Sequence, residues 1–349
     1  MYQNIWLNMK KEHLKNMINR LILYLISVVF QSIVFVRNKL YDFKILPSIQ
    51  SQKMVISIGN IELGGTGKTP FVIALIQQLI VHNMHPVVIT RGYRRNTKHQ
   101  IIFKYLSQYT AQEVGDEPYY IKYTNENIPI IIDHNKKRAI ETANKIKTVD
   151  CIIMDDGFQS RYIDRNLDIV LINGWQKKEA FKIMPLGCLR EPIQNVHRAD
   201  YIYTTKGNQL TNELLPQNTL TKINTTFNLI KYEKGVIKSK QMHKIKDVNY
   251  KIAFCGIANG EHFIDSLNRL KISFDKKIIF KNHEIYNRQK IKMLTNGNKK
   301  NISFITTYKD FFKLNKNFIT QYTIYVLEMN MELDNLELIE KIKKLNHEN

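Results

Sequence analysis

An apolar run that ends in a glycine-rich turn and passes straight into a helical pattern constrains this chain more than any other feature. Met54–Gly59 reads MVISIG, and after four further residues comes Gly64-Gly65-Thr66-Gly67-Lys68-Thr69-Pro70. Glycines let a backbone wrap a phosphate, and the N–H groups at a helix start point at it. Lys68 then offers a charge to β/γ oxygens, and the Thr69 hydroxyl can ligate Mg²⁺. Pro70 is tolerated because the first helical turn has N–H groups to spare. The expected nucleotide-binding residues are therefore Gly64, Gly65, Thr66, Gly67, Lys68 and Thr69. The strict spacing wants glycine at position 62, where Glu62 stands. The GGTGKT core and its strand-to-helix context survive that departure.

From Met54 onward, apolar β-branched runs recur at Val55–Ile58, Val87–Thr90, Ile128–Ile132, Cys151–Met154, Ile169–Ile172 and Tyr201–Thr204. Several lack alternation, as expected of parallel strands covered by helices on both faces. Helical patterns such as Phe71–Val81 and Lys136–Lys147 lie between them. The reading is an α/β protein, a P-loop NTPase-like, mostly parallel sheet with ligands at the carboxyl ends of its strands. Residues 206–249 turn polar and rich in Asn, Lys and Thr, which suggests a connector, with a hairpin as one form it could take. Lys251–Gly256, Ile302–Thr306 and Tyr322–Leu327 open a smaller α/β lobe. The expected division is 1–48, an N-terminal basic and apolar helix; 49–205, the core; 206–249, the connector; and 250–349, the C-terminal lobe.

A phosphate loop needs acidic partners at the end of a neighbouring strand. Cys151–Met154 leads into Asp155-Asp156-Gly157-Phe158-Gln159, which places two carboxylates where Mg²⁺ bound to ATP would sit. Thr90-Arg91-Gly92-Tyr93-Arg94-Arg95 follows the second strand with three guanidinium groups, which suit phosphate oxygens. Val114-Gly115-Asp116-Glu117-Pro118 places a carboxylate pair on an expected loop, because the residue before proline is disfavoured in a helix. One of that pair could take a proton from an attacking hydroxyl. Leu186–Pro192, with Arg190, is a further polar insertion. Asn282-His283-Glu284 follows an apolar run in the second lobe; a lone histidine is more often structural, and His 10 in the composition gives no means of selecting this one.

The N-terminal region poses a membrane question. Leu21–Val36 is uncharged, with basic residues on both sides. Sixteen residues fall short of the roughly 20 that span a bilayer, and the flanks show no bias to one side. No small-x-small cleavage site follows, which argues against a signal peptide. A buried core helix and a helix half sunk in the membrane surface remain, and the basic flanks favour the second. Lys+Arg 52 against Asp+Glu 31, a formal charge of +21, also favours polyanionic partners. The basic residues are dispersed with no aromatic-interleaved platform, so nucleic acid is not expected. Cys 3, at Cys151, Cys188 and Cys255, gives no disulfide or zinc spacing.

With SIGN-x4-GGTGKTP from Ser57, TRGYRR from Thr90, VGDEP from Val114, DDGFQ from Asp155, LREP from Leu189, CGIAN from Cys255 and TTYKD from Thr306, the sequence resembles the tetraacyldisaccharide 4'-kinase family, over roughly residues 20–330. The resemblance implies a membrane-surface P-loop kinase that moves the γ-phosphoryl of ATP to the 4'-hydroxyl of a lipid-linked glucosamine disaccharide 1-phosphate. It implies Asp116 as catalytic aspartate with His283 as its partner and Lys68 at the phosphates. It implies Thr69, Glu117, Asp155 and Asp156 around Mg²⁺, and Arg91, Gln159 and Arg190 lining the substrate cleft. The implied location is the cytoplasmic face of a bacterial inner membrane, on its anionic surface, with no obligate protein partner. Ser160 stands where the family pattern has histidine after DDGFQ. A membrane-associated P-loop ATPase or GTPase switch is the alternative that the same loop and apolar helix would serve.

Overall fold

The computed structural model describes residues 2–174, 181–205, 220–240, 245, 250–257, 259–295 and 301–348; the side chains of 2–18, 220 and 240 lie outside that description. The first sheet is built from β1 Met54–Asn60, β2 Pro86–Thr90, β3 Ile101–Phe103, β4 Ile130–Ile132, β5 Cys151–Asp155, β6 Leu167–Asn173, β7 Tyr201–Thr205 and β8 Leu220–Lys222. Their order is β3-β4-β2-β5-β1-β6-β7-β8. Every neighbour pair is parallel except β3 with β4. All residues of β1, β2, β5 and β6 are buried, which accounts for their unalternating apolar sequence.

The helices of this lobe are α1 Tyr2–Asp42, α2 Lys68–Val81, α3 Ala111–Val114, α4 Asp116–Thr124 and α5 Lys136–Asn144. Side chains of β1 divide between two layers, as a period of two requires. Ile56 and Ile58 join Phe71, Leu75 and Leu79 of α2 on one face. Val55 joins Ala139, Ile140 and Ala143 of α5 on the other. The register pairs Ile58 of β1 with Asp155 of β5. The glycine-rich turn and the acidic pair therefore leave the sheet side by side, at the same edge.

The second sheet comprises β9 Asn224–Glu233, β10 Val236–Lys240, β11 Tyr250–Cys255, β12 Lys276–Ile279, β13 Ile302–Thr307 and β14 Thr323–Glu332, in the order β10-β9-β14-β13-β11-β12. With it go α6 Gly260–Arg269, α7 Arg288–Thr295, α8 Tyr308–Phe311, α9 Lys316–Gln321 and α10 Leu336–Glu348. Within 206–249, residues 206–219 lie outside the described part. The chain beyond them enters both sheets: β8 extends the first, while β9 runs antiparallel along β14 in the second. An aromatic cluster joins the lobes. Tyr120 and Tyr308 stack at 4.8 Å, Tyr123 and Phe312 meet at 5.0 Å, and the Tyr123 and Tyr232 hydroxyls are 2.8 Å apart.

Two expectations need correction. The GDEP segment is not a loop: Asp116 and Glu117 open α4, with Pro118 inside its first turn, where a missing N–H costs nothing. The apolar N-terminal segment is also longer than its sixteen uncharged residues suggested. It belongs to the 41-residue α1, about 62 Å long at 1.5 Å per residue. Among its described side chains only Ser27, Val34 and Asn38 are buried, whereas Leu21, Val29 and Ile33 are each close to 60% exposed. Asn19–Asp42, 24 residues, is long and apolar enough to cross a membrane by length and composition, where the sequence suggested too short a run.

Candidate active site

The turn after β1 forms an open cradle. Gly64 has φ 120° and Gly67 φ 84°, values that L side chains rarely adopt. A Cβ built on Gly64 or Gly65 would meet nothing within 4 Å. Gly67 caps α2 without any side-chain hydrogen bond, so the N–H groups of the first turn remain available for an anion. Thr205 at the end of β7 donates to the Thr66 carbonyl at 2.8 Å and fixes the turn from behind. Thr66 and Thr69 are buried at the base of this cradle. Glu62, the departure from the strict spacing, is buried and accepts from the Asn173 amide at 2.7 Å. It braces the turn against β6 instead of entering the cradle.

Lys68 bridges to the acidic pair. Its Nζ lies 3.1 Å from Asn60 Oδ1 and 3.4 Å from Asp156 Oδ1. Arg190 Nη1 reaches both Asp156 oxygens at 3.1 Å. Burial would push the Asp156 carboxyl up, but Lys68, Arg190 and Lys136 outweigh it and hold the carboxyl far below the usual range. Asp155 is the opposite case. Burial first, then the nearby Glu117 charge, push it up to about 6. Its Oδ2 accepts from the Thr90 hydroxyl at 3.0 Å, while Oδ1 is buried with no hydrogen-bond partner among the described residues. Such an orphaned carboxylate oxygen has the chemistry of a cation ligand. No group of three His, Cys, Asp or Glu gathers closely enough to hold a metal alone among the described residues.

Gln159 donates to the Asn60 carbonyl at 2.8 Å and to Glu191 Oε1 at 2.9 Å. Glu191 is completely buried. Its Oε2 accepts from Arg198 at 2.8 Å, from Asn195 at 2.9 Å and, at 3.5 Å, from Asn38 of α1.

The second lobe supplies the other wall. Asp116, at the first position of α4, has its Oδ2 3.0 Å from His283 Nδ1 and 3.2 Å from Lys313 Nζ. Burial favours its neutral form, but the His283 hydrogen bond and the Lys313 charge prevail and hold it down to about 2. Glu117 pairs with Lys309, whose charge keeps it below its ordinary value against the opposing effect of burial. His283 sits at φ 59°, with its ring 5.2 Å from Tyr93. Arg94 donates to the Asn282 carbonyl at 2.7 Å, so the basic loop after β2 reaches across to hold the histidine's turn.

The expected residues thus gather into linked groups: Lys68, Asp156, Gln159 and Arg190 are joined by hydrogen bonds and ion pairs, Asp116 meets His283, and the Glu117 charge acts on Asp155. Arg91 stands exposed at the end of β2 with no hydrogen bond or ion pair among the described residues. Ser160 is buried and accepts from Lys136 at 3.2 Å, the same ammonium that donates to the Asp155 and Asp156 carbonyls. Three residues escape a reading of the sequence. Lys136 is fully buried, donates to the Asp155 and Asp156 carbonyls, and is pulled down to about 8 by burial. Lys309 and Lys313 lie in or beside the TTYKD segment. The sequence marks that segment, but nothing in it sets these lysines apart from the others.

Residues 19–347 match the family described as tetraacyldisaccharide-1-P 4'-kinase. The tetraacyldisaccharide 4'-kinase of Pelodictyon phaeoclathratiforme is 31% identical over 301 residues, covering 82% of this chain and 84% of that protein. Its counterpart in Chlorobium phaeobacteroides is 32% identical over 310 residues, covering 82% and 85%. Among solved structures, LpxK from Aquifex aeolicus in complex with ATP superposes with a TM-score of 0.73 at 25% identity, covering 91% of this chain and 96% of that one.

Proposed function

The chain belongs to the tetraacyldisaccharide-1-P 4'-kinase family, and from that premise we propose which of its residues carry the reaction. It is an ATP-dependent kinase that transfers the γ-phosphoryl group to the 4'-hydroxyl of a tetraacyl disaccharide 1-phosphate in lipid A biosynthesis. The alternative of a nucleotide-hydrolysing switch is set aside by that membership.

In our reading, the amides of Gly64–Lys68 and the Lys68 ammonium hold the ATP phosphates in the cradle after β1. Asp116 accepts the proton of the 4'-hydroxyl as its oxygen bonds to the γ-phosphorus and the bond to the β-phosphate oxygen breaks, leaving ADP. A carboxylate held near 2 is a weak base. It suits a loose transition state, in which the hydroxyl stays largely intact until late. His283 keeps Asp116 in place from the second lobe. Arg91, Gln159 and Arg190 line the side on which the disaccharide would enter.

Mg²⁺ fits the residues present. The orphaned Asp155 Oδ1 and the Thr69 hydroxyl would hold it, with Glu117 and Asp156 beside it. Held there, it would supply positive charge against the charge that develops on the transferring phosphoryl group. The observation that carries the reading is the contact of Asp116 with His283 across the two lobes, next to Glu117, on which the Lys68 charge acts. Its test is purified protein with labelled ATP and the disaccharide 1-phosphate lipid in detergent: label must enter the lipid fraction, and ATP turnover without lipid must stay far slower.

The exposed apolar face of α1, flanked by basic residues, supports docking to an anionic inner-membrane surface on its cytoplasmic face. Val29→Glu with Ile33→Glu is expected to lower co-sedimentation with anionic phospholipid vesicles by more than about tenfold. Each such side chain is worth about 1.5–3 kcal/mol when buried, and 1.4 kcal/mol is tenfold in partitioning. Transfer to detergent-dispersed lipid should persist. Unchanged vesicle binding would remove the helix from this role.

A further inference from the structure

The transfer requires Asp116 to turn one oxygen toward the acceptor hydroxyl. Among the described residues, no hydrogen bond or ion pair from its own lobe holds that side chain. The two groups in contact with it both come from the second lobe and both act on Oδ2: His283 Nδ1 at 3.0 Å and Lys313 Nζ at 3.2 Å. Both trace back to Asp310. This fully buried carboxylate accepts from the Gly256 amide at 3.0 Å, from the Tyr286 hydroxyl at 2.8 Å and from the Thr307 hydroxyl at 2.8 Å. The Gly256 carbonyl in turn accepts from the His283 amide at 2.8 Å. On the other side, Lys313 Nζ lies 3.5 Å from Asp310 Oδ1. The contacts close a ring: Asp116, His283, Gly256, Asp310, Lys313 and back to Asp116.

Lys313 is the member of that ring with the most unusual surroundings. Its side chain is 5% exposed, and its ammonium lies between two carboxylates by charge, without a well-aligned hydrogen bond. Burying an ammonium is costly unless its partners hold it in return. A mere tether between lobes would not need one, since the aromatic cluster around Tyr120 and Tyr308 already joins them. We propose that Lys313, set in place by Asp310, is a positioning residue for phosphoryl transfer: it pins Oδ2 of Asp116 so that Oδ1 stays turned to the acceptor hydroxyl. This rests on the reading of Asp116 as proton acceptor. With Lys313 gone, the carboxylate keeps one donor, on one side, and is free to swing about its Cβ–Cγ bond.

The experiment compares wild type, Lys313→Met, Lys313→Arg, Asp116→Asn and the double variant Asp116→Asn/Lys313→Met as full chains. Labelled ATP and detergent-dispersed disaccharide lipid are the substrates, and titration with an ATP analogue counts competent sites. Lys313→Met should lower kcat by about 10- to 100-fold, the usual cost of misaligning a reacting group by a fraction of its reach. KM for ATP and for lipid should hardly move, and Lys313→Arg should restore most of the rate. In the Asp116→Asn background the lysine change should add almost nothing, because its effect passes through the carboxylate. An unchanged kcat in Lys313→Met overturns the proposal, and so does an equal loss in both backgrounds. Failure of wild type to label the lipid, or an Asp116→Asn enzyme as fast as wild type, overturns instead the reading beneath it.

Discussion

Asp116→Asn is expected to lower kcat by about 10²–10⁴-fold, the range that a positioned proton acceptor contributes, while an ATP analogue binds as tightly as before. Asparagine keeps the shape and can still contact His283, but it cannot take the proton. The nucleotide cradle after β1 does not include position 116, so binding has no reason to change. The pH dependence sharpens the test. Asp116 is held down to about 2, so its ionised form is fully present above its ordinary value of 3.8 and is lost only as pH falls toward 2. The variant should therefore be slower by the same factor from about pH 5 to pH 9. Turnover within a few-fold of wild type would remove Asp116 from the mechanism.

Asp155→Asn should separate activity from stability. The wild-type carboxylate is buried, carries an orphaned oxygen and is pushed up to about 6, first by burial and then by Glu117. A carboxyl raised in the folded state costs nothing while protonated, and destabilises progressively as pH climbs from 3.8 through 6. The asparagine variant lacks that penalty. Nucleotide-free protein at pH 7 should melt about 2 °C or more above wild type, with the gap closing as pH falls toward 4. Phosphoryl transfer should drop by about 10²-fold or more, as when a charge-stabilising group is lost, and added Mg²⁺ with ATP should raise the variant's Tm less than the wild type's. A variant that melts lower than wild type at neutral pH would show that Asp155 is held by its surroundings and not strained by them.

Much of this site is legible from residues alone. Met54–Asn60 is buried on both faces, and a strand of that kind leaves an unalternating apolar run. Gly64 and Gly67 after it are required by backbone angles that only glycine adopts cheaply, and the acidic pair follows a second such run. The hidden part depends on distance along the chain. Lys309 meets Glu117 across 192 positions, and no local pattern reports such a pairing. In a chain with Lys+Arg 52, a lysine that ends beside a buried carboxylate looks like any other. The GDEP helix resembles a loop in sequence for a local reason: the rule for residues preceding proline weakens in the first turn, where Glu117 sits. The exposure of α1 is open to argument from sequence because an apolar run reads the same whether lipid or protein covers it.

Glu191 has a consequence for how such an enzyme responds to its surroundings. One of its oxygens holds Gln159 beside the phosphate cradle, and the other reaches Asn38 near the foot of the long helix. This one carboxylate thus joins the foot of α1 to the turn that carries the acidic pair. Were the helix docked on lipid as proposed, a tilt of it would be passed through this carboxylate to Gln159.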